Sequence, residues 1–507
     1  MARALARTAS FPAPVGGLNA RDSLAAMKQT DAVVLENWWP TPTSVDVRKG
    51  WQSWSTGYAN PVQSMFRYAP TTGAYKLFAA SGTSFYDATL TGAVGAAVVT
   101  GLTNAQWQYT NIVTPGGSFL WCVNGVDNGK LYNGTVWADV SITGVASSSI
   151  ANVNVFGNRL FLVEKNTLNV WYLAVQSIAG AATKFDLSTI FPRGGYLMAM
   201  ATWSIDAGAG LNDLAIFVSS EGEVAIYQGA DPASWTKQGV YYVGRPIGRK
   251  CVAKMGGDAI YLCEQGIYPL SRALLSATID RSIALTDKIQ NIISQVVGSY
   301  QNNFGWQMQV YPEQNQLWLN VPTGTSPPTS DQYVMNTITS AWTKFTNMDS
   351  ACWEVVGPDI YFGGATAIYK AWNGQFDGSG QIQADALQAY SNFRTDALQK
   401  YFTMVRPSIV ADGVPSILFG LNLDFLERPA TGALSFNTPI SGMVWGAMTW
   451  GPPSTSMTWG GGLQQISSWQ TVGGLGRYAG LRLTTQANGS VVSWNETSWV
   501  YQVGGVL

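Results

Sequence analysis

From about residue 45 to 375, short apolar runs alternate with clusters of Gly, Asn, Asp and Ser. Brief β-branched and aromatic runs bounded by such residues predict strands joined by tight turns. A loose motif returns within this texture: a small turn with Gly or Asn, then an aromatic, then often a second turn and a Trp. It reads SGTSFYDAT, NGKLYNGTVW, KNTLNVWYL, EGEVAIYQGADPASW, EQGIYPLS, QNQLWLNVP and ATAIYKAWNG. The marking aromatics are Tyr86, Tyr132, Tyr172, Tyr227, Tyr268, Trp318 and Tyr369, spaced 40 to 55 residues apart. Four-stranded propeller blades repeat every ~40–50 residues. The pattern therefore predicts a mainly β chain carrying a β-propeller of about six to eight blades. A set of unrelated hairpins with similar turn chemistry would share the texture, and no WD or kelch signature decides between the two.

One internal segment breaks the strand pattern. LTDKIQNIISQVVG places Ile289, Ile292, Ile293 and Val296 at i, i+3, i+4 and i+7, the spacing of one helix face. Thr286 is the expected N-cap, Asp287 suits the first turn, and Gly298 can stop the helix. Such a helix packs most simply on the outside of a blade; a partner-binding role is the alternative. Near the start, GGLNARDSLAAMKQTDAVVLENWWP (residues 16–40) also reads as helical. Asp22 or Ser23 can cap a first short helix carrying Leu24 and Met27, and Thr30 a second, with Asp31 favourable at its N-terminus. Val34 and Trp38 then share a face, and Pro40 ends the element. VDVRKGWQSWSTG at 45–57 follows as the first strand.

These readings give four regions. Residues 1–44 form an N-terminal arm and helical docking element, and 45–380 the propeller. Residues 381–405, more polar and weakly helical, form a linker, and 406–507 a C-terminal β-sandwich-like domain. At the centre of the last lies VWGAMTWGPPSTSMTWGGG, with Trp-Gly steps at Trp445, Trp450 and Trp459 around a Pro-Pro break. Gly after Trp leaves room beside the indole and permits φ > 0. Core packing, a subunit interface and stacking on a sugar ring all remain open for these residues. Together with Trp38 and Trp39 they are the candidate interface residues.

Composition narrows the function classes. Only 12% of the 507 residues are charged, about half the usual ~25%. Another 12% are aromatic, including 21 Trp and 22 Tyr. Charge-poor, aromatic-rich surface is typical of protein–protein interface cores. The net charge of −1 lacks the basic excess of a protein that grips phosphates. With no His in the chain, Ser-His-Asp and Cys-His catalysis, imidazole metal ligands and His-based pH switching are excluded. Cys122, Cys251, Cys263 and Cys352 show no C-x-x-C pair, which favours buried reduced thiols over zinc or a disulfide scaffold. No apolar run approaches the ~18 residues of a membrane span, and the opening MARALARTASFPAPVGG lacks the ~7–15-residue apolar core of a signal peptide.

No G-x-S-x-G elbow, Walker A or G-x-G-x-x-G motif is present, and no cofactor or metal is expected. A glycosidase needs two suitably spaced carboxylates, but the sequence offers no way to choose a pair among 30 acids. NGVDNG around Asp127 is too short for a Ca²⁺ loop. The expectation is a protein without enzyme activity.

The 16–50 region resembles the start of the tail nozzle proteins of short-tailed, podovirus-type bacteriophages, also called tail tube or stabilisation proteins. The matching residues are Gly16–Asn19, Asp31–Val33, Leu35, Asn37, Trp39–Pro40 and Arg48–Gly50. LTDKIQ at 285–290, QAYSNF…QKYF…VRP at 388–407 and VSWNETSWVYQVGGVL at 492–507 are similar to the same family, in the same order. The resemblance implies a propeller-based virion subunit, assembled in the host cytoplasm, that forms a six-fold ring at the distal end of the tail. It implies contacts with a tail adaptor or head-to-tail connector and with fibres, spikes or a needle. Viral DNA would pass through the ring without specific binding. The N-terminal helical element would dock a neighbour or adaptor, or else clasp the propeller from outside. A fibre-adaptor or receptor-binding propeller recognising a host glycan, and a propeller glycosidase, are the alternatives.

Overall fold

Tight turns with left-handed residues set the strand boundaries. Between Ile150–Phe156 and Arg159–Glu164 only Gly157 and Asn158 intervene, with φ of 53° and 55°. Both values suit the two-residue hairpin turn that matches strand twist. The computed structural model describes residues 6–204, 213–273, 281–395, 398–413, 415–434 and 464–504. The chain forms two compact units. One comprises Ser53–Tyr333 and Asn347–Ala371; the other comprises Met1–Gln52, Val334–Thr346 and Trp372–Leu507.

The first unit is a β-propeller. Five of its sheets stand separately, with three strands in the first and fifth and four in the second, third and fourth. Their innermost strands are Val62–Tyr68, Gln108–Thr114, Ile150–Phe156, Leu197–Ser204 and Val252–Met255. Each innermost strand neighbours the next, and the cycle closes through Gln307–Tyr311 and Cys352–Val356 back to Val62–Tyr68. The strand Trp51–Thr56, whose residues from 53 onward belong to this unit, lies beside Ala367–Ala371. An early strand thus completes a late sheet.

The expected six to eight blades are corrected to five separate ones. Tyr86, Tyr132, Tyr172, Tyr227 and Tyr268 each lie on the third strand of one of these five sheets. Trp318 and Tyr369 mark the two closing sheets, which do not stand alone as three- or four-stranded blades. The spacing counted turns and aromatics correctly, but sheet separation is not encoded in that spacing.

Blade stacking explains the unbroken apolar runs. In Arg159–Glu164, Leu160, Phe161, Leu162 and Val163 are all fully buried. Leu160 and Leu162 join Trp121, Val123 and Ile150 on one side; Phe161 and Val163 join Met200, Phe217 and Tyr227 on the other. Successive side chains leave a strand on opposite faces, and each face here meets a neighbouring blade. Trp235 is the hub of one such layer. Its ring lies 5.2 Å from Phe161, 5.5 Å from Phe156, 5.4 Å from Phe185 and 5.8 Å from Tyr227. The preceding ADPAS sequence delivers it: Asp231 caps Pro232–Ser234 by accepting from Ala233 N–H, and the Trp235 indole donates back to Gly229 at 2.9 Å.

The expected internal helix is present as Gln290–Tyr300, preceded by a 3-10 turn at Asp287–Ile289. Ile289, Ile293 and Val297 form its buried stripe. The hydroxyl of Thr286 does not cap the helix; it accepts from Ile267 N–H at 3.2 Å. Gly298 lies inside the helix and does not end it.

The second unit is built from two sheets. One contains Ala6–Pro12, Trp38–Pro40, Val45–Val47, Lys400–Ala411, Gln464–Ile466, Gln470–Gly476 and Val492–Val503. The other includes Gly17–Leu18, Asp31–Glu36, Trp342–Phe345, Gln383–Gln388, Ser416–Leu423 and Ala479–Gln486. Three expectations change here. Residues 16–40 hold strands and turns, not helices. Val33 and Val34 are β-branched and suit a strand, and Asp31–Glu36 is held between partners, parallel to Gly17–Leu18 and antiparallel to Gln383–Gln388. The arm is a paired strand, running from Ala6 opposite Gln502 to Pro12 opposite Glu496. The 381–405 stretch is not a linker, because it contributes Gln383–Gln388 and the start of Lys400–Ala411.

Candidate functional site

Side-chain amides recur along the propeller axis. Gln63, Gln108, Ala151, Gln307 and Cys352 stand at the starts of inner strands and line a cavity of about 490 Å³. Further along the same strands, Tyr109, Asn152, Asn154, Met200, Gln309 and Glu354 line a second cavity of about 330 Å³. Gln108, Arg249, Lys250 and Gln307 border both.

Some of these amides staple the ring. Asn154 Nδ2 donates to Met200 O at 2.9 Å, and Asn152 Oδ1 accepts from Met200 N at 3.2 Å. Gln307 donates to Trp353 O at 2.7 Å and accepts from Trp353 N at 3.1 Å. Asn111 bonds the Arg67 carbonyl and the Ala69 N–H likewise. Inner strands of neighbouring blades are too far apart for a continuous backbone ladder, so side-chain amides satisfy their buried groups. Sequence reasoning missed this belt. Its signal is an amide-x-amide pair in Asn152/Asn154 and Gln307/Gln309, which period-two geometry puts on one face.

Charge is sparse along the axis. Lys250 Nζ lies 3.2 Å from Gln307 Oε1, and Arg249 donates to Met198 O at 3.2 Å. Burial pushes the Glu354 carboxyl above the ordinary glutamate value of 4.5, against the opposing pull of Lys250, the Tyr109 hydroxyl and Arg67. Burial and the adjacent Glu354 push the Tyr109 hydroxyl up as well. An acid whose folded value is raised holds its proton longer in the folded chain than in the unfolded one. Its contribution to stability therefore falls as pH rises from 4.5 toward the folded value. Glu354→Gln is expected to remove that slope, worth about 1.4 kcal/mol for each pH unit of elevation. Urea midpoints of both proteins across acidic to neutral pH measure it; parallel profiles would contradict the assignment.

The candidate interface residues fall into two groups. Trp38 is fully buried and packs edge-on against Trp494 at 6.2 Å, while Trp39, 8% exposed, packs on Trp372 and Phe345. Both are core residues of the second unit, so neither presents its ring for docking. Trp445, Trp450 and Trp459 lie outside the described residues. The four cysteines are free and buried; burial raises Cys251, Cys263 and Cys352 to about 12, and Cys122 well above its ordinary value. Asp127 accepts from Asn124 within its turn and from Thr103 in a separate loop. Among the described residues, no group of three or more Cys, Asp or Glu is placed to hold a metal ion, and no helix is long and apolar enough to cross a membrane.

The N-terminal motif residues instead build a buried polar knot in the second unit. Arg48 and Asp377 pair at 2.8 and 2.7 Å with their side chains 0% and 1% exposed. The remaining Arg48 N–H groups donate to Asn37 Oδ1, Lys49 O and Thr346 O, so all five guanidinium donors are used. Asn37, at φ 58°, also donates to Thr346 Oγ1 and Gln383 O. Two residues on, a Cβ at Gly50 would stand 1.8 Å from Phe376 O, so only glycine fits that approach. Asn19 and Asp31 join at 2.7 Å, and a Cβ on Gly16 would strike Asp31 Oδ1 at 2.2 Å.

These features define a β-propeller protein with a second all-β unit. No protein-family profile and no curated protein matches the chain. Solved structures similar to it include the computationally designed Ika8 protein, 7% identical over 63% of this chain and 99% of that one, with a TM-score of 0.36. The WD40 beta propeller domain of Doa1 is 8% identical over 64% of this chain and 96% of its own, and BBS1N in complex with ARL6DN 10% identical over 64% and 98%; both have a TM-score of 0.40.

Proposed function

We propose that this chain is a non-enzymatic structural subunit of the distal tail nozzle of a short-tailed bacteriophage, repeated in a closed ring that continues the DNA channel. The carrying observation is the ordered set of segments similar to that family. Three of its four parts, at 16–50, 388–407 and 492–507, belong to one compact unit. Arg48, Asn37, Gly50, Gly16 and Asp31, which carry the resemblance, make the close contacts on which that unit depends. The low charge fraction of 12% suits broad subunit contacts, and near-neutrality suits a passage through which DNA slides, because each neutralised phosphate adds affinity. The partners of this reading are a tail adaptor, further copies of the chain, and fibres, spikes or a needle.

Closed symmetry is required, since a head-to-tail contact that failed to close would grow filaments. Electron microscopy of the virion, with antibody labelling of this chain, is expected to show a six-fold ring at the distal tail. Each contact should bury on the order of 1,200–2,000 Å². A single copy per tail, or labelling elsewhere in the particle, would sink the proposal.

A further inference from the structure

We propose that the 490 Å³ cavity at the propeller axis is a binding site for a small carboxylate-bearing carbohydrate of one or two sugar rings. Its volume lies in the ~300–1,000 Å³ range of small-ligand sites. Gln63, Gln106, Gln108, Gln301 and Asn302 all line it. Among the described residues, none of these five side chains has a hydrogen-bond partner within the chain. The stapling amides of the second cavity are engaged; these are not. Each free amide offers two donors and an acceptor, which matches hydroxyl groups that both give and take a hydrogen bond.

The charges indicate the rest of the ligand. Lys165, Arg249 and Lys250 line the cavity, and no Asp or Glu does. Lys165 uses one donor on Gly125 O at 3.2 Å, and among the described residues Lys250 and Arg249 each make one side-chain hydrogen bond, both at 3.2 Å, so all three keep donors for an anion. Glu354, the buried acid whose carboxyl Lys250 pulls down, lines the second cavity only. Phe304 also lines the first cavity, half-buried, and offers an apolar face to a sugar ring. A bare phosphate keeps only one or two O–H groups near neutral pH and has no ring, so it would leave most of the amide oxygens unused. A hydroxyl-bearing carboxylate uses both kinds of group.

This inference does not rest on the tail-ring reading, and the two fail separately: one is read from ligand binding, the other from symmetry in the virion. The test is calorimetry and saturation-transfer NMR on the full chain with three probes. These are cellobiouronic acid, cellobiose (the same two rings without the carboxylate) and inorganic phosphate. The uronate is expected to bind at least tenfold more tightly than either control. Lys165→Gln with Lys250→Gln should weaken it at least tenfold in a protein that remains folded. If that double variant fails to fold, the exposed Gln106→Ala with Gln301→Ala decides, and should weaken the uronate severalfold without affecting phosphate. Equal affinity for phosphate, equal affinity for cellobiose, no binding of the uronate, or binding indifferent to a folded variant would each overturn the proposal.

Discussion

Arg48→Ala is expected to destabilise the second unit by about 3–5 kcal/mol, the cost of stranding one partner of a buried ion pair. The pair is fully enclosed, and the substitution also leaves Asn37 Oδ1, Lys49 O and Thr346 O without their donor. Arg48→Lys should recover little, because an ammonium has three donors and no planar fork. Arg48→Met with Asp377→Leu should cost much less than either single change, since replacing a whole buried pair by apolar groups is often close to neutral. Denaturant unfolding of wild type, Arg48→Met, Asp377→Leu and the double variant gives the cycle, with Arg48→Ala and Arg48→Lys measured beside them. A loss for Arg48→Ala within ~0.5 kcal/mol, the scale of ordinary surface changes, would mean that the knot does not hold the unit.

In the propeller, Trp235→Ala is expected to cost about 3–5 kcal/mol, the usual range for a large aromatic removed from a core. Edge-to-face and stacked pairs add ~0.5–1.5 kcal/mol beyond area, and Trp235 makes several within 6 Å. Trp235→Phe should retain part of this while losing the bond to Gly229. Thermal unfolding followed by circular dichroism ranks the three proteins. Alanine and phenylalanine variants equal to wild type would show that the third and fourth blades are joined by other contacts.

Local features proved legible where local physics decides them. The turn-plus-aromatic motif placed Tyr86, Tyr132, Tyr172, Tyr227 and Tyr268 at equivalent positions because each blade repeats the same hairpin chemistry. The helix was visible for the same reason, although of the expected Ile289, Ile292, Ile293 and Val296 only Ile289 and Ile293 are buried, and Val297 completes the stripe. Residues 31–40 misled because positions four apart share a face in a strand as well as in a helix. The left-handed Asn37 then separates Asp31–Glu36 from Trp38–Pro40, and no periodicity announces that break. The union of the N-terminal segment with the C-terminal unit went unread because strand partners hundreds of residues apart, such as Asp31–Glu36 and Gln383–Gln388, leave no trace in local composition. The axial amides went unread because a search for catalytic groups passes over neutral side chains. Their repeat at the head of successive strands was nevertheless in plain view.

The antiparallel pairing of Ala6–Pro12 with Val492–Val503 sets a timetable for biosynthesis. A nascent chain emerges from the ribosome in order, so strand 6–12 is made early and its partner late. Until residue 503 has cleared the exit tunnel, the early strand carries an unsatisfied edge, the kind of surface that pairs with other chains. One charged side chain, Arg7 near the strand's start, does little to blunt it. Completion of this unit therefore waits for strand 492–503 to emerge, and the interval before it is when the polypeptide is most exposed to capture by a chaperone or by another copy of itself.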